Sequence, residues 1–170
     1  MKKGKIVLGI SGGVDSSVAA LLLKKDGYDV HGVFMKNWDD KHAICSAEDD
    51  YADAVSVCNK LDIPLKKIDY TNEYKNKVFK QFLDDHTNGR TPNPDVLCNK
   101  EIKFEVFQNY AQEIGATKIA TGHYVDYYKS GSNFYLKKAK DKSKDQSYFL
   151  HQLGQSELEN TIFPLGKILK

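Results

Sequence analysis

Between the apolar runs Ile6–Ile10 and Val18–Leu23 stand Ser11-Gly12-Gly13-Val14-Asp15-Ser16-Ser17. Two glycines let a backbone turn tightly and bring its N–H groups close to a bound oxygen, and the hydroxyls of Ser11, Ser16 and Ser17 can donate to the same oxygen. The chemistry this predicts is a phosphate cradle. It is not a Walker loop, because G-x-x-x-x-G-K-[ST] is missing, and it is not G-x-G-x-x-G; the plainer alternative is a turn whose serine caps a helix. A second set of reactive types lies in Arg90-Thr91-Pro92-Asn93-Pro94-Asp95-Val96-Leu97-Cys98. An amphipathic pattern over 100–114 puts Cys98 at a helix N-terminus, where the dipole favours the thiolate; the rival is a small core residue. Asp95, held by Pro94, is either a positioned carboxylate or a simple cap. His123, after a short apolar stretch, is a phosphate contact or a hydrogen-bonded structural histidine.

These residues need elements to hold them. Ile6–Ile10 has the length and β-branched content of a buried strand, and Ser16–Lys25 has a helical repeat ended by Gly27. Val30–Met35 predicts a second strand, followed by a polar loop over 37–46 and a helix over 48–61; Leu65–Ile68 predicts a third strand. Asn72–His86 and Lys100–Ile114 read as amphipathic helices separated by Gly89–Asp95, and Lys118–Ala120 as a strand ending at Thr121-Gly122-His123. Strands alternating with helices predict an α/β fold with a doubly wound parallel sheet, Rossmann-like, in which ligands sit beyond the carboxyl ends of the strands. Tyr124–Lys129 and Asn133–Lys138 around Ser130-Gly131-Ser132 predict a hairpin, and short helical pieces follow. The expected division is a nucleotide-binding domain over 1–125 and a hairpin and helical extension over 126–170.

The match S-G-G-x-D-S resembles the pyrophosphate loop of ATP pyrophosphatases. Three further stretches, Phe34-Met35-Lys36-Asn37-Trp38, Arg90 to Phe104, and Ala120-Thr121-Gly122-His123-Tyr124 with Lys144-Asp145-Gln146-Ser147-Tyr148-Phe149-Leu150, are together similar to the tRNA-specific 2-thiouridylase family. The resemblance implies an adenine nucleotide alpha hydrolase-like fold and thiolation of the wobble uridine in tRNAs for Lys, Glu and Gln. In that chemistry ATP adenylates the uridine O2, a cysteine persulfide charged by a sulfur-relay protein attacks C2, and a second cysteine resolves the step as a disulfide. It implies ATP contacts at Gly9, Ile10, Ser11, Gly12, Gly13, Val14, Asp15, Ser16, Met35 and Gly122, with Asp15 linked to Mg2+. Cys98 corresponds to the family's N-terminal catalytic cysteine. Asn93, Pro94 and Asp95 correspond to the segment meeting the target base, where Asp95 acts as a base on the uridine imide or orients it. His123, Lys144, Asp145 and Gln146 correspond to tRNA contacts. Family members continue into a G-I-C-F-I-G-like segment carrying the persulfide cysteine; neither Cys45 nor Cys58 sits in such a motif. The chain is therefore expected to bind ATP and activate a uridine without completing sulfur transfer.

Composition narrows the rest. The chain has 170 residues, 41% hydrophobic and 28% charged, and no apolar run approaches the roughly 18 residues of a membrane span, so a cytoplasmic protein is expected. A net charge of +2 neither favours nor excludes nucleic acid, although Lys100, Lys103, Lys144 and His123 would make a local positive mouth at the sheet's carboxyl end. Cys45, Cys58 and Cys98 are the three cysteines, with no C-x-x-C, which argues against a disulfide framework or zinc knuckle. Cys58 falls on an apolar helix face and reads as core, and Cys45 in a polar loop stays open. Met35 is an apolar wall for adenine or a core methionine. Trp38, Tyr124, Tyr127 and Tyr128 either stack on bases or pack.

Overall fold

The computed structural model describes residues 3–37 and 47–170, so Trp38 and Cys45 lie outside the described residues. The apolar alternation that begins at Ile6 explains the architecture. Ile6, Leu8 and Ile10 enter one core with Ala19, Ala20, Leu23, Ala54 and Cys58, while Val7 enters a second with Val33, Ile102, Phe107 and Ile119. A strand buried on both faces must be central and covered by helices on both sides. It is β1 (Lys5–Gly9), flanked in parallel by β2 (Asp29–Lys36) and β4 (Lys118–Ala120). With β3 (Leu65–Asp69) outside β2, and β7 (Thr161–Ile162) outside β4, the sheet has five parallel strands in the order β3-β2-β1-β4-β7. The chain thus reverses its direction of winding beside β1, which opens a crevice at the carboxyl ends of β1 and β4.

Helix α1 (Val14–Lys25) follows β1, and α2 (Ala47–Leu61) follows β2. After β3 come α3 (Thr71–Tyr74), a π-helical turn over Lys75–Phe79, and α4 (Lys80–Thr87). A second helical run holds α5 (Pro94–Cys98), a π-helical turn over Asn99–Lys103, and α6 (Phe104–Glu113). Its start corrects the sequence expectation. Asn93 is the N-cap, its Oδ1 accepting from the Val96 N–H at 3.2 Å, and Pro94 occupies the first turn, where its missing donor costs nothing. Cys98 therefore closes the helix's first segment and does not sit at its N-terminus.

The predicted hairpin is β5 (Val125–Ser130) with β6 (Asn133–Lys138), antiparallel. A 3-10 turn at Ser147–Phe149 and α7 (Gln155–Asn160) lead to β7. Residues on both sides of position 125 share the packing, since β7 pairs with β4, Leu165 belongs to the first core, and Leu150 to the second. No helix among the described residues is long and apolar enough to cross a membrane.

Candidate active site

The loop after β1 is held from within. Ser16 Oγ donates to the Gly13 carbonyl at 3.0 Å and accepts from the Ser11 N–H at 3.2 Å, and Ser17 Oγ donates to the same carbonyl at 2.9 Å. Two of the three hydroxyls expected to meet phosphate therefore shape the loop instead. Gly13 caps α1 without a side chain, and the first-turn N–H groups of Val14, Asp15 and Ser16 have no acceptor inside the helix, which makes this an anion-binding end. Gly12 has φ +83° and backs onto the Asp50 carbonyl and Asp53 Cβ of α2, so its glycine serves packing of the loop against α2. Gly122 is needed for a different reason. A Cβ there would sit 2.9 Å from Ser16 N and 3.0 Å from Ser16 Cα, because the end of β4 presses directly on the start of α1.

A cavity of about 360 Å3 opens over this junction, lined by Gly9, Ile10, Ser11, Asp15, Ser16, Met35 and Gly122 among others. Seven of the ten expected nucleotide contacts thus share one wall. The other three, Gly12, Gly13 and Val14, frame the loop from behind it. Asp15 Oδ1 is buried and accepts no well-directed hydrogen bond, while the Lys170 ammonium lies 3.0 Å and the Lys144 ammonium 3.9 Å from its carboxylate. Both lysines come from positions far along the chain, a convergence with no signature in the loop sequence.

A second cavity, about 600 Å3, adjoins the first and is lined by Tyr74, Phe79, Phe82, Pro94, Asp95, Cys98, Asn99 and Phe149. Asn37, Lys103, His123 and Gln146 line both cavities. Cys98 is 8% exposed, and burial pushes its thiol up, opposed by the Lys103 charge and reinforced by Asp95. The helix-dipole argument for a ready thiolate is thereby overturned: the first-turn position is occupied by Pro94 and Asp95, and desolvation outweighs the nearby cation. The Asn37 carboxamide lies 3.9 Å from Cys98 Sγ as a weak donor. His123 shares a 2.9 Å hydrogen bond with Thr121 Oγ1, and burial beside Lys103 holds its imidazole at about 3, so it is neutral at physiological pH. Gln146 is fixed by the Tyr124 N–H, which donates to its Oε1 at 3.0 Å.

Three of the expected tRNA contacts fall outside both cavities. Asn93 is committed to the helix cap. Asp145 is committed to its own turn, accepting from the Ala139 N–H at 2.9 Å and from Ser147 Oγ at 2.8 Å, and Lys144 stands over Asp15. Lys100 pairs with Glu101 at 3.2 Å, so of the expected positive mouth only Lys103 and the neutral His123 line the cavities. Cys58 is core at 1% exposure. Tyr124 and Tyr127 pack inside, whereas Tyr128 is exposed and stacked on Tyr135 at 5.2 Å. Asn37, Tyr74, Phe82 and Asn99 were not singled out from sequence as site residues. Their positions on separate helices and a loop give no local pattern.

Comparison with known proteins accords with this geometry. Residues 4–170 match the family described as the tRNA methyl transferase HUP domain. A tRNA-specific 2-thiouridylase of Nitrosomonas europaea is 54% identical over 172 residues, covering 100% of this chain and 48% of that protein. A tRNA-specific 2-thiouridylase of Legionella pneumophila is 56% identical over 170 residues, covering 99% of this chain and 47% of that protein. The chain thus spans about half the length of these curated relatives. A solved structure described as a predicted subunit of tRNA methyltransferase from Methanocaldococcus jannaschii aligns with TM-score 0.55 and 19% identity over 96% of this chain and 68% of that one, which shows a common fold. With the fold, the glycine-framed loop and the matched residues in agreement, the chain belongs to the tRNA methyl transferase HUP domain family.

Proposed function

We propose that this chain is the ATP-using half of a tRNA 2-thiouridylase, adenylating the wobble uridine O2 in one cavity with a nucleotide seated in the other. The observation that carries the reading is the wall of Asn37, Lys103, His123 and Gln146 shared by the two cavities. A reaction between a nucleotide phosphate and a base requires two compartments that meet, and holding both reactants in line supplies much of the rate.

The start of α1 holds the phosphates through backbone N–H groups, and Met35 walls the adenine. Asp15 suits magnesium, because its carboxylate lines the loop cavity with a buried Oδ1 whose neighbour is the exchangeable Lys170 ammonium, and magnesium on nucleotide phosphates takes one or two protein carboxylates. Among the described residues no group of three or more metal-ligating side chains exists, which fits a site completed by phosphate oxygens. Magnesium bound there would neutralise phosphate charge. The uridine enters between Phe82, Phe149 and Asp95. Its O2 bonds to the α-phosphorus, the phosphorus–oxygen bond to pyrophosphate breaks with its electron pair leaving on pyrophosphate, and the imide proton passes to Asp95 or water. A cysteine persulfide charged by a sulfur-relay partner then attacks C2 and expels AMP, and the Cys98 thiolate attacks the inner sulfur of that persulfide, leaving sulfur on the base and a disulfide on protein. The persulfide cysteine belongs to sequence beyond these residues. The substrates are tRNAs for Lys, Glu and Gln, with Pro94, Asp95, His123 and Gln146 at the base and Lys144 at the phosphate backbone, and the reaction is placed in the cytoplasm.

Incubation with ATP, magnesium and a panel of acceptors tests this. Pyrophosphate release that needs tRNA with uridine at the wobble position, without thiolated product, is expected. Release driven by a small-molecule acceptor, or equally by tRNA carrying cytidine there, would overturn it.

A further inference from the structure

Of the four residues lining both cavities, Asn37 is uncharged, Gln146 is tied to the Tyr124 N–H, and His123 is held neutral. Lys103 is the remaining one: burial pushes its ammonium's pKa down, opposed by the charges of Cys98 and Asp95. Its placement depends on an irregularity in the helix. Five residues are about 1.4 turns of α-helix, a spacing that would put Cys98 and Lys103 on different faces. The turn over Asn99–Lys103 is π-helical, with the Phe104 N–H bonded to the Asn99 carbonyl, and the wider i→i+5 winding brings residues five apart nearer to one face than an α-helix does. The π turn therefore brings Lys103 onto the face that carries Cys98 and delivers its stem to the opening between the cavities.

We propose that Lys103 is a catalytic residue serving both cavities in turn: its ammonium meets the nucleotide α-phosphate during adenylation and the Cys98 thiolate once the phosphate has left. This rests on the nucleotide reading of the loop cavity. Lys103 acts by charge and transfers no proton. While a phosphate sits against it, its charge is neutralised and the thiol stays protonated; when AMP departs, the ammonium is free to stabilise the thiolate that resolves the persulfide. The groups facing Cys98 are consistent with a single switching charge. Asp95, from the helix's first turn, disfavours the thiolate, the Tyr74 phenol from α3 is raised by burial and by the Cys98 charge, the Asn37 amide is a weak neutral donor, and Lys103 lowers the thiol pKa against burial. Burial, and after it the same charge, depresses His123, the neighbour of Lys103 on the shared wall. Asp95 and Cys98 are the charges that favour its ammonium against burial.

The test reads Cys98 alkylation by iodoacetamide against pH, mapped by mass, with and without ATP and magnesium. Steric cover by nucleotide lowers the plateau rate, whereas a change in charge moves the midpoint. In wild type, ATP should raise the midpoint by about half a pH unit or more. Lys103→Gln should raise the nucleotide-free midpoint by about one pH unit or more, and ATP should then move it by clearly less than in wild type, through the phosphate's own charge alone. Lys103→Arg, which keeps the charge, should retain the ATP response, and this arm and the wild-type arm stand even where Lys103→Gln does not fold. Calorimetry reports nucleotide binding separately. Absence of binding overturns the nucleotide reading and the phosphate half of the proposal with it. Binding that leaves the wild-type midpoint in place, or moves it equally in Lys103→Gln, overturns the role of Lys103 alone.

Discussion

Gly122→Ala is the sharpest perturbation of the loop cavity, because the clash it creates is with backbone. The added methyl would meet Ser16 N at 2.9 Å, Ser16 Cα at 3.0 Å and the Asp15 carbonyl carbon at 3.1 Å. Ordinary contacts begin several tenths of an ångström further out, and no side chain lies there to swing away. The start of α1 must therefore lift from the end of β4. Overpacking of this kind costs about 1–3 kcal/mol, or very roughly 2–10 °C in Tm for a domain of this size. The larger effect falls on ligand binding, since the N–H groups displaced are those that would face phosphate. In wild type, ATP at about a hundred times its Kd should add about 2.7 kcal/mol to stability. Gly122→Ala should lose most of that increment. Gly131→Ala is the control: the site is open but φ is +61°, so strain of about 1 kcal/mol is expected with the ATP increment intact. Thermal melts of the three proteins with and without ATP and magnesium decide it. Equal ATP increments in wild type and Gly122→Ala would refute the placement of the nucleotide at this junction.

Asp15→Ala should abolish the magnesium-dependent part of the ATP increment while changing unliganded stability by less than about 1 kcal/mol, since its partners Lys144 and Lys170 are surface cations; calorimetry with and without magnesium checks it. Cys98 should alkylate before Cys58, because it lines a cavity while Cys58 is enclosed at 1% exposure, yet only under alkaline conditions, burial having raised both thiols. Fast labelling of Cys98 at neutral pH would contradict the burial argument. His123 has a folded pKa of about 3 against 6.5 when free, so the unfolded chain takes up a proton that the folded one refuses. Stability from this group is constant above pH 6.5 and falls as pH drops toward 3. His123→Gln should flatten that limb in urea melts at pH 4.5 and 7.5, and an identical acid limb would show that the histidine does not titrate this way.

Much of this was legible in sequence, for reasons that also mark the limits. Ile6–Ile10 marks a buried strand, and the S-G-G-V-D-S-S stretch marks a tight loop opening a helix, because local spacing alone specifies both. The helix starts at Asn93-Pro94 and not at Lys100, although its cap and first-turn proline are recognisable signals, because the apolar repeat over 100–114 does not extend back to them. Strand β7, with two residues, has too little pattern to be seen, and its place is set by pairing with β4. The Cys98–Lys103 relation is hidden for a deeper reason: α-helical phase places the two apart, and only the π-helical turn aligns them. Ser16 and Ser17 were assigned to phosphate by type, whereas the Gly13 carbonyl takes both hydroxyls.

A crystal structure of the chain with a non-hydrolysable ATP analogue and magnesium tests the central claim most directly. The account predicts the phosphate chain against the Val14–Ser16 N–H groups, adenine beside Met35, and the α-phosphate turned toward Lys103 at the opening to the Cys98 cavity. Phosphates seated elsewhere, or an α-phosphate facing away from that opening, would contradict it.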